Sequence, residues 1–497
     1  MKRTTKTILA VLLALVLAFS LVLAGCSSSE QAAGSSVYVT QIEKTGTDGL
    51  NDVYTVTYSD GSTSTFTVTN GADGENLTIT DVYEEYKQTT GSDLTFEEFL
   101  KQYLTVSDES AALAIQKNLL SVMKIYSEFV VTETTSSMYP PFYTQSTDTA
   151  IYTGSAVLYD MDTGADGYTY IVTNYHVVYL ADADTEKNGG TNIARKIRGY
   201  LYGSEGSPST VDEDNNNVAD TDSDGYTKYD YGSYAIELEY IGGSVSSDIA
   251  VLRAKTSDIL AINESAAEIT LADGYHVGET AVAIGNPEGR GISVTQGVIS
   301  TESDYISLDI DGTARSYRSI RIDTPLYQGN SGGGLFNADG ELIGITNAGN
   351  STEQNINYAI PLEIVTGTAD NIIRSYEDGN DATNGAYKIT LGVTVSTQNS
   401  KYVYDAESGY GAIEEEVVVQ SVESGSIAET LGLAEGDVIK SIIVNGTEHA
   451  ITRSFKISDL ILTMRTNDIL QVKYERSGSE ATGASYTLQS SDFTQLD

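Results

Sequence analysis

The chain has 497 residues, a formal net charge of −42 from 70 acidic and 28 basic side chains, and one cysteine. That balance argues against nucleic acid and anionic lipid surfaces as partners, because both are bound through clustered Lys and Arg. A single cysteine excludes an intrachain disulfide, so packing must supply the stability. With 34 tyrosines, 46 glycines and no tryptophan, the composition suits a strand-rich exported protein of about two to four domains.

Residues 1–26 open with Met1-Lys2-Arg3, continue as an apolar run from Ile8 to Leu23, and close on Leu23-Ala24-Gly25-Cys26. A basic start, a short apolar core and a small-residue exit predict an export signal. The closing string resembles the bacterial lipobox, which implies lipidation at Cys26 and a mature chain tethered to the outward face of a cell membrane. Two acyl chains hold a protein on a bilayer where one does not. The Ser, Ala and Gly of 27–36 then read as a flexible tether.

Residues 37–80 alternate apolar and polar in twos, with turn signals at Ser59-Asp60-Gly61-Ser62 and Asn70-Gly71, which predicts a small antiparallel β module. Over 81–110 the period changes. Thr95 with Glu98 makes a capping box, and Phe99, Leu100, Tyr103 and Leu104 follow at helical spacing, so a helical spacer is expected.

A helix from Ala111 to Leu120 leads into a strand at 122–131. Strands are then expected at 154–159, 168–173, 234–241, 248–254, 280–284, 293–302, 317–323, 334–346 and 356–360. Such regular spacing predicts a pair of antiparallel barrels rather than one open sheet. Residues 181–233 interrupt it as a long Asp-, Asn- and Gly-rich loop. Within that loop Asp220-Thr221-Asp222-Ser223-Asp224-Gly225 matches the first half of a calcium loop, but Tyr231 stands where its bidentate glutamate belongs, so a solvated acidic loop without metal is expected. An amphipathic helix at 362–377 and a polar linker precede a separate domain of strands and two short helices at 385–497.

The chemistry concentrates in Tyr327-Gln328-Gly329-Asn330-Ser331-Gly332-Gly333-Gly334-Leu335. A serine among glycines sits on a tight turn that can aim the N–H groups of Gly329 and Ser331 at one point, as a pocket for a developing oxyanion. A serine nucleophile needs a base and a group to orient it. Of three histidines, His449 lies in the last domain and His276 in an exposed turn, whereas His176 ends a strand where it could face the seam between barrels. Asp248 directly precedes the apolar run Ile249-Ala250-Val251-Leu252, as a buried acceptor holding a histidine tautomer would. His, then Asp, then Ser is one known chain order for a hydrolytic triad.

Five strings resemble the trypsin-like protease domain of the HtrA/Deg family: Thr173-Asn174-Tyr175-His176-Val177, Asp248 to Leu252, Ala283-Ile284-Gly285-Asn286-Pro287, Val294 to Ser300, and Gly329 to Leu335. The resemblance covers about 111–378 and implies a mainly β fold of two six-stranded barrels. It assigns His176 as general base, Asp248 as orienter and Ser331 as nucleophile, with Gly329 and Ser331 donating to the oxyanion. Residues 385–497 are similar to the PDZ domain that follows the protease in this family, with Leu391, Gly392 and Val393 in the carboxylate-binding loop. A PDZ domain adds an incoming C-terminal tail to a sheet edge. Gly334 departs from the proline or alanine of many relatives, and the loop after His176 is longer and more acidic. The units at 37–104 lie outside the resemblance.

No carboxylate stands in Thr324-Pro325-Leu326-Tyr327 or in the expected substrate wall of Thr346, Asn347 and Ala348, so cleavage after small or medium apolar residues is expected rather than after Lys or Arg. Unfolded or misfolded exported proteins are the expected substrates, without cofactor, and the family resemblance implies a homotrimer or a larger assembly. Two other readings compete: a non-proteolytic surface chaperone on the same scaffold, and an adhesin led by the N-terminal units. An intact His-Asp-Ser set argues against the first.

Overall fold

The computed structural model describes residues 39–48, 51–58, 61–69, 115–138, 141–349, 355–379, 385–405 and 409–496, with isolated positions 83, 87 and 95. The predicted signal, the tether, Cys26 and nearly all of the helical spacer lie outside the described residues. The chain divides into two units, Met1–Thr105 and Val106–Asp497.

In the first unit β1 (Val39–Asp48), β2 (Asn51–Tyr58) and β3 (Thr63–Thr69) form an antiparallel meander. The predicted turn between β2 and β3 contains Gly61 at φ +83°, a conformation that favours glycine.

The second unit begins its sheets with β4 (Val122–Met138), β5 (Pro141–Met161) and β6 (Tyr168–Thr173), followed by the one-turn helix α1 (Tyr175–Val178) and β7 (Lys196–Leu201). The short pair β8 (Ser209–Thr210) and β9 (Tyr229–Asp230) belongs to the acidic excursion. Then come β10 (Ile236–Ser244), β11 (Ile249–Lys255) and α2 (Thr256–Ile262). Strands β4, β5, β6, β7, β10 and β11 close into a six-stranded barrel.

Next are β12 (Thr270–Leu271), β13 (Thr280–Gly285), β14 (Ser293–Asp309), β15 (Ala314–Ile322), β16 (Gly334–Phe336), β17 (Glu341–Gly349) and β18 (Asn357–Pro361). Pairing of β17 with β18 closes the order β17-β16-β13-β14-β15-β18 into a second ring of six, and β12 joins β17 in parallel.

Alternation along β11 explains why its whole start is apolar. Ala250 and Leu252 fill the first barrel, while Ile249 and Val251 join the core shared with the second. Helix α3 (Leu362–Glu377) adds Val365, Ala369 and Ile372 to that shared core. A buried Val or Ile such as Val365 or Ile372 contributes about 1.5–3 kcal/mol by leaving water.

The last strands are β19 (Tyr387–Ile389), β20 (Val393–Tyr404), β21 (Gly411–Val422), β22 (Val438–Val444), β23 (Thr447–Ala450), β24 (Ile469–Arg476), β25 (Ser479–Thr482), β26 (Tyr486–Thr487) and β27 (Phe493–Gln495). With α4 (Ile427–Thr430) and α5 (Phe455–Thr463) they form an arrangement consistent with a PDZ domain around its own core of Val417, Val419, Ile442 and Leu470. Buried Asp437 is held there by a two-pronged bond from Arg476, Nε at 2.6 Å and Nη2 at 2.7 Å. This domain seats against the barrels. Leu462 of α5 enters the shared core, and the Arg318 guanidinium of β15 donates to Asp459 of α5 at 2.6 Å while lying over the Phe455 ring.

Four expectations change. The loop expected at 181–233 contains β7, the sixth strand of the first barrel, whose Lys-Ile-Arg-Gly-Tyr-Leu carries too little apolar alternation to stand out. The strand expected over 334–346 is two strands around the turn Asn337–Gly340, because Asn337 caps that turn through its side chain. His176 stands in α1, three residues past the end of β6, rather than at a strand end. His276 is half-buried, its ring stacked on Tyr410 at 4.1 Å. In the calcium-like stretch, Arg195 already provides the cation: its guanidinium bonds Asp222 at 2.6 Å, Asp224 at 3.3 Å and the buried Glu128 at 2.7 Å. Among the described residues no cluster fit to hold a metal is present.

Candidate active site

Strand adjacency brings the histidine and aspartate together. β6 and β11 pair with Thr173 opposite Ala250, so the segments just past the end of one and just before the start of the other meet at one rim of the barrel. There Tyr175 N donates to Asp248 O at 3.1 Å, and the buried Asn174 side chain donates to the same oxygen at 3.0 Å. These contacts hold Asp248 at φ +53°, a left-handed conformation that a non-glycine residue adopts only when its surroundings enforce it. The carboxylate is fully buried and accepts twice from His176, from the backbone N–H at 3.0 Å and at Nδ1 at 2.8 Å.

That geometry fixes the tautomer: Nδ1 carries the proton toward Asp248 and Nε2 is left to accept. Burial works against the charged imidazole. The Asp248 carboxylate, by its charge and its hydrogen bond, outweighs burial and raises the His176 pKa above its ordinary value of 6.5.

The serine turn is clamped between the barrels. Gly332 N donates to Thr346 O and Thr346 N to Gly333 O, each at 2.9 Å, and the Thr346 hydroxyl donates to Asn330 O at 2.6 Å. From the first barrel, Ser155 N donates to Ser331 O at 2.9 Å. The buried Ser155 hydroxyl donates to Gly329 O at 2.8 Å and accepts from Asn286 N at 2.9 Å. Gly329 has φ +97° and Gly332 φ +87°; a Cβ at Gly332 would strike the Ser155 carbonyl and the Thr173 hydroxyl, so both turns require glycine. Among the described residues neither Gly329 N–H nor Ser331 N–H has a partner, which leaves two donors for an oxyanion.

Gly154 packs between Val177, next to His176, and the Ser331 carbonyl, so the segments that carry histidine and serine come close together there. The Ser331 hydroxyl donates to Asn347 O at 2.9 Å in this resting arrangement. Hydrogen bonds of a catalytic set often form only in the substrate complex, and rotation about one side-chain bond frees the hydroxyl.

Of the expected substrate wall, Thr346 is buried behind the turn, Asn347 offers its carbonyl to Ser331, and Ala348 continues β17 opposite Tyr358. Leu391, Gly392 and Val393 border a cavity of about 510 Å³ between β20, α5 and the second barrel, lined there by Tyr317 and Arg318. Gly392 has φ +71°, and the carbonyls of Leu391 and Gly392 accept from Ala428 N and Glu423 N. Sequence reading missed Ser155 and Asn286 as supports of the turn. The available signal was one polar residue, Ser155, at the head of the buried run Ala156-Val157-Leu158.

The chain is similar to several known proteins. The trypsin-like peptidase domain family matches residues 154–345. The serine protease Do-like HtrA of Lactococcus lactis subsp. cremoris is 28% identical over 342 residues, 66% of this chain and 69% of the relative. A probable periplasmic serine endoprotease, DegP-like, of Chlamydia pneumoniae is 32% identical over 284 residues, 56% of this chain and 52% of its own. Among solved structures, the HtrA-type protease AlgW with tripeptide aligns at 25% identity over 76% of this chain and 96% of its own, with a TM-score of 0.41. Taken together, the sequence matches and the double barrel show a serine endopeptidase with a trypsin-like peptidase domain and support its similarity to the HtrA/Deg proteases.

Proposed function

We propose that the chain cleaves unfolded or misfolded exported polypeptides with His176, Asp248 and Ser331 as its triad, while tethered to the outer face of a cell membrane through lipidated Cys26. The observation that carries the triad is His176 held by two bonds to a buried Asp248, one from its backbone N–H and one at imidazole Nδ1, beside a serine turn whose Gly329 and Ser331 N–H groups have no partner among the described residues. His176 Nε2 takes the Ser331 proton as the hydroxyl attacks the peptide carbonyl, and then returns it to the leaving amine. Gly329 N–H and Ser331 N–H receive the oxyanion. Water then repeats the sequence on the acyl-enzyme.

The PDZ-like domain at 385–497 binds C-terminal tails, with Leu391, Gly392 and Val393 around the carboxylate and β20 as the receiving edge; the groove between β20 and α5 supports this reading. The apolar run and Leu23-Ala24-Gly25-Cys26 support the lipid anchor. On family grounds a homotrimer is part of the same proposal.

A fluorophosphonate probe on the purified protein tests the triad. Attachment at Ser331, with casein digestion lost in Ser331→Ala, is the expected result; a label elsewhere, or digestion that survives the substitution, overturns it. Detergent partitioning of the chain expressed in a bacterium, lost in Cys26→Ser, tests the anchor.

A further inference from the structure

A second cavity, of about 420 Å³, lies where α3 meets the last domain. Helix α3 and its C-terminal cap present Asn371, Arg374, Ser375 and Asp378 to it, at the i, i+3, i+4 and i+7 spacing of one helix face. The rest of the lining comes from the last domain, chiefly Met464 and Arg465 just past α5 and Phe493 of β27. Asn371 joins the two sides: its side chain donates to Tyr387 O, accepts from Tyr387 N at 2.9 Å and reaches Leu462 O at 3.4 Å.

The two arginines set this cavity apart. Every other described arginine has a carboxylate oxygen at 3.6 Å or closer. Arg374 and Arg465 have no such partner among the described residues, although the chain holds 70 acidic side chains against 28 basic ones. The carboxylates that act on Arg374 from a distance are turned to other work. Asp370 accepts from the Tyr159 hydroxyl at 2.7 Å, and Asp468 accepts from Arg465 N at 2.6 Å and Asn445 Nδ2 at 2.7 Å. Asp378 lines the cavity but is exposed and makes no ion pair among the described residues. Burial pushes the Arg374 pKa below its ordinary value, and the pull of Asp378, Asp370 and Asp468 does not restore it. Arg465 donates through Nη1 to Leu462 O at 3.3 Å and Met464 O at 3.0 Å, which leaves the rest of its fork uncommitted. Beside them Ser375, only 7% exposed, has a hydroxyl with no partner, although a helical serine can bond the carbonyl one turn back.

We propose that this cavity binds a phosphate group, free or carried on a small organic molecule, between Arg374, Arg465 and the Ser375 hydroxyl. A carboxylate offers its oxygens in one plane, whereas a phosphate tetrahedron can meet two guanidinium forks and a hydroxyl at once. Met464 and Phe493 give apolar lining for the carbon part of an organic phosphate. The net charge of −42 opposes an incoming anion at long range. At physiological salt that field is screened beyond about 8 Å, so the contacts inside the cavity decide. Because Arg374 stands on the helix packed into the barrels and Arg465 in the last domain, a bound phosphate ties the two together. The inference is independent of the chemistry at Ser331.

Titration calorimetry and thermal unfolding of the purified protein test this, with inorganic phosphate, glycerol 3-phosphate and acetate in chloride buffers of matched ionic strength. At least one phosphate compound is expected to bind about tenfold or more tighter than acetate and to raise the unfolding midpoint. Tighter binding of glycerol 3-phosphate identifies an organic phosphate as the occupant, and tighter binding of inorganic phosphate identifies the free ion. Arg374→Gln and Arg465→Gln should each weaken binding about tenfold or more, the worth of one charge-assisted hydrogen bond. Arg290→Gln, which removes an exposed arginine already paired with Glu288, should leave binding unchanged. If neither arginine variant of the cavity folds, Ser375→Ala decides, with an expected loss of about threefold or more. No saturable binding of either phosphate compound up to about 10 mM, acetate bound as tightly, or binding that survives these substitutions overturns the site.

Discussion

Ser155→Ala is the sharpest perturbation of the serine turn that leaves every proposed reacting group in place. The hydroxyl is fully buried and makes two bonds, to Gly329 O at 2.8 Å and from Asn286 N at 2.9 Å. Each such bond contributes about 1 kcal/mol net, and its loss leaves a buried carbonyl and a buried N–H without water, so the cost in stability is about 2–4 kcal/mol. The catalytic loss has a separate origin. Gly329 supplies one of the two proposed oxyanion donors, and a fully lost donor costs about 3–4 kcal/mol of barrier. A turn that is loosened rather than lost should lower kcat about 10- to 100-fold, or about 1.4–2.8 kcal/mol, with KM nearly unchanged. Ser146→Ala removes the same atom from an exposed position on the same strand and should shift stability by less than about 0.5 kcal/mol. Urea unfolding and steady-state peptide cleavage measure both quantities. A Ser155→Ala protein as stable and as fast as Ser146→Ala would refute the reasoning.

Because Asp248 raises the His176 pKa and the base must be neutral, the acid limb of kcat/KM should have its midpoint above 6.5, and Asp248→Asn should move it down while cutting kcat by about 10⁴; a midpoint at or below 6.5 in the unaltered enzyme would contradict this. The same raised pKa makes the ion pair stabilising below the unfolded value and lost as pH rises through the folded one, so Asp248→Asn should destabilise more at pH about 5.5 than at pH about 8 in urea titrations. Burial pushes the Asp459 carboxyl up to about 6 against the pull of Arg318, which marks a pair with a large desolvation cost. Asp459→Asn, leaving Arg318 buried alone, should cost about 3–5 kcal/mol, whereas Arg318→Met combined with Asp459→Leu should be near neutral; equal losses would disprove the account. Gly332→Ala puts a Cβ against Ser155 O and Thr173 Oγ at a positive φ, and should abolish labelling by the fluorophosphonate probe even where the protein still folds.

The motif strings were legible because each carries its own local necessity. Gly329 and Gly332 announce positive φ, Ile249 to Leu252 announces a strand buried on both faces, and Asp248 at its head announces a carboxylate carried inward. The apolar face of α3 and the turn residues of the last domain were equally local. What escaped was set by partners far away in the chain. β7 became the sixth barrel strand because β4 and β10 each needed a neighbour, with Ile197 paired to both Ser127 and Leu238. Arg195 took the place a cation would hold because β4 carries Glu128 beneath it.

Local chain chemistry by itself determined that this protein holds two β barrels, a glycine-rich serine turn and a separate last domain of strands and short helices, since turn angles and alternation act over a few residues. Only the tertiary structure decided that Ser155 ties the serine turn to the opposite barrel and that Ser331 rests on Asn347. Those are contacts between residues from 16 to 176 positions apart, and a hydrogen bond across such a span exists only once the barrels have closed and set their strands in register.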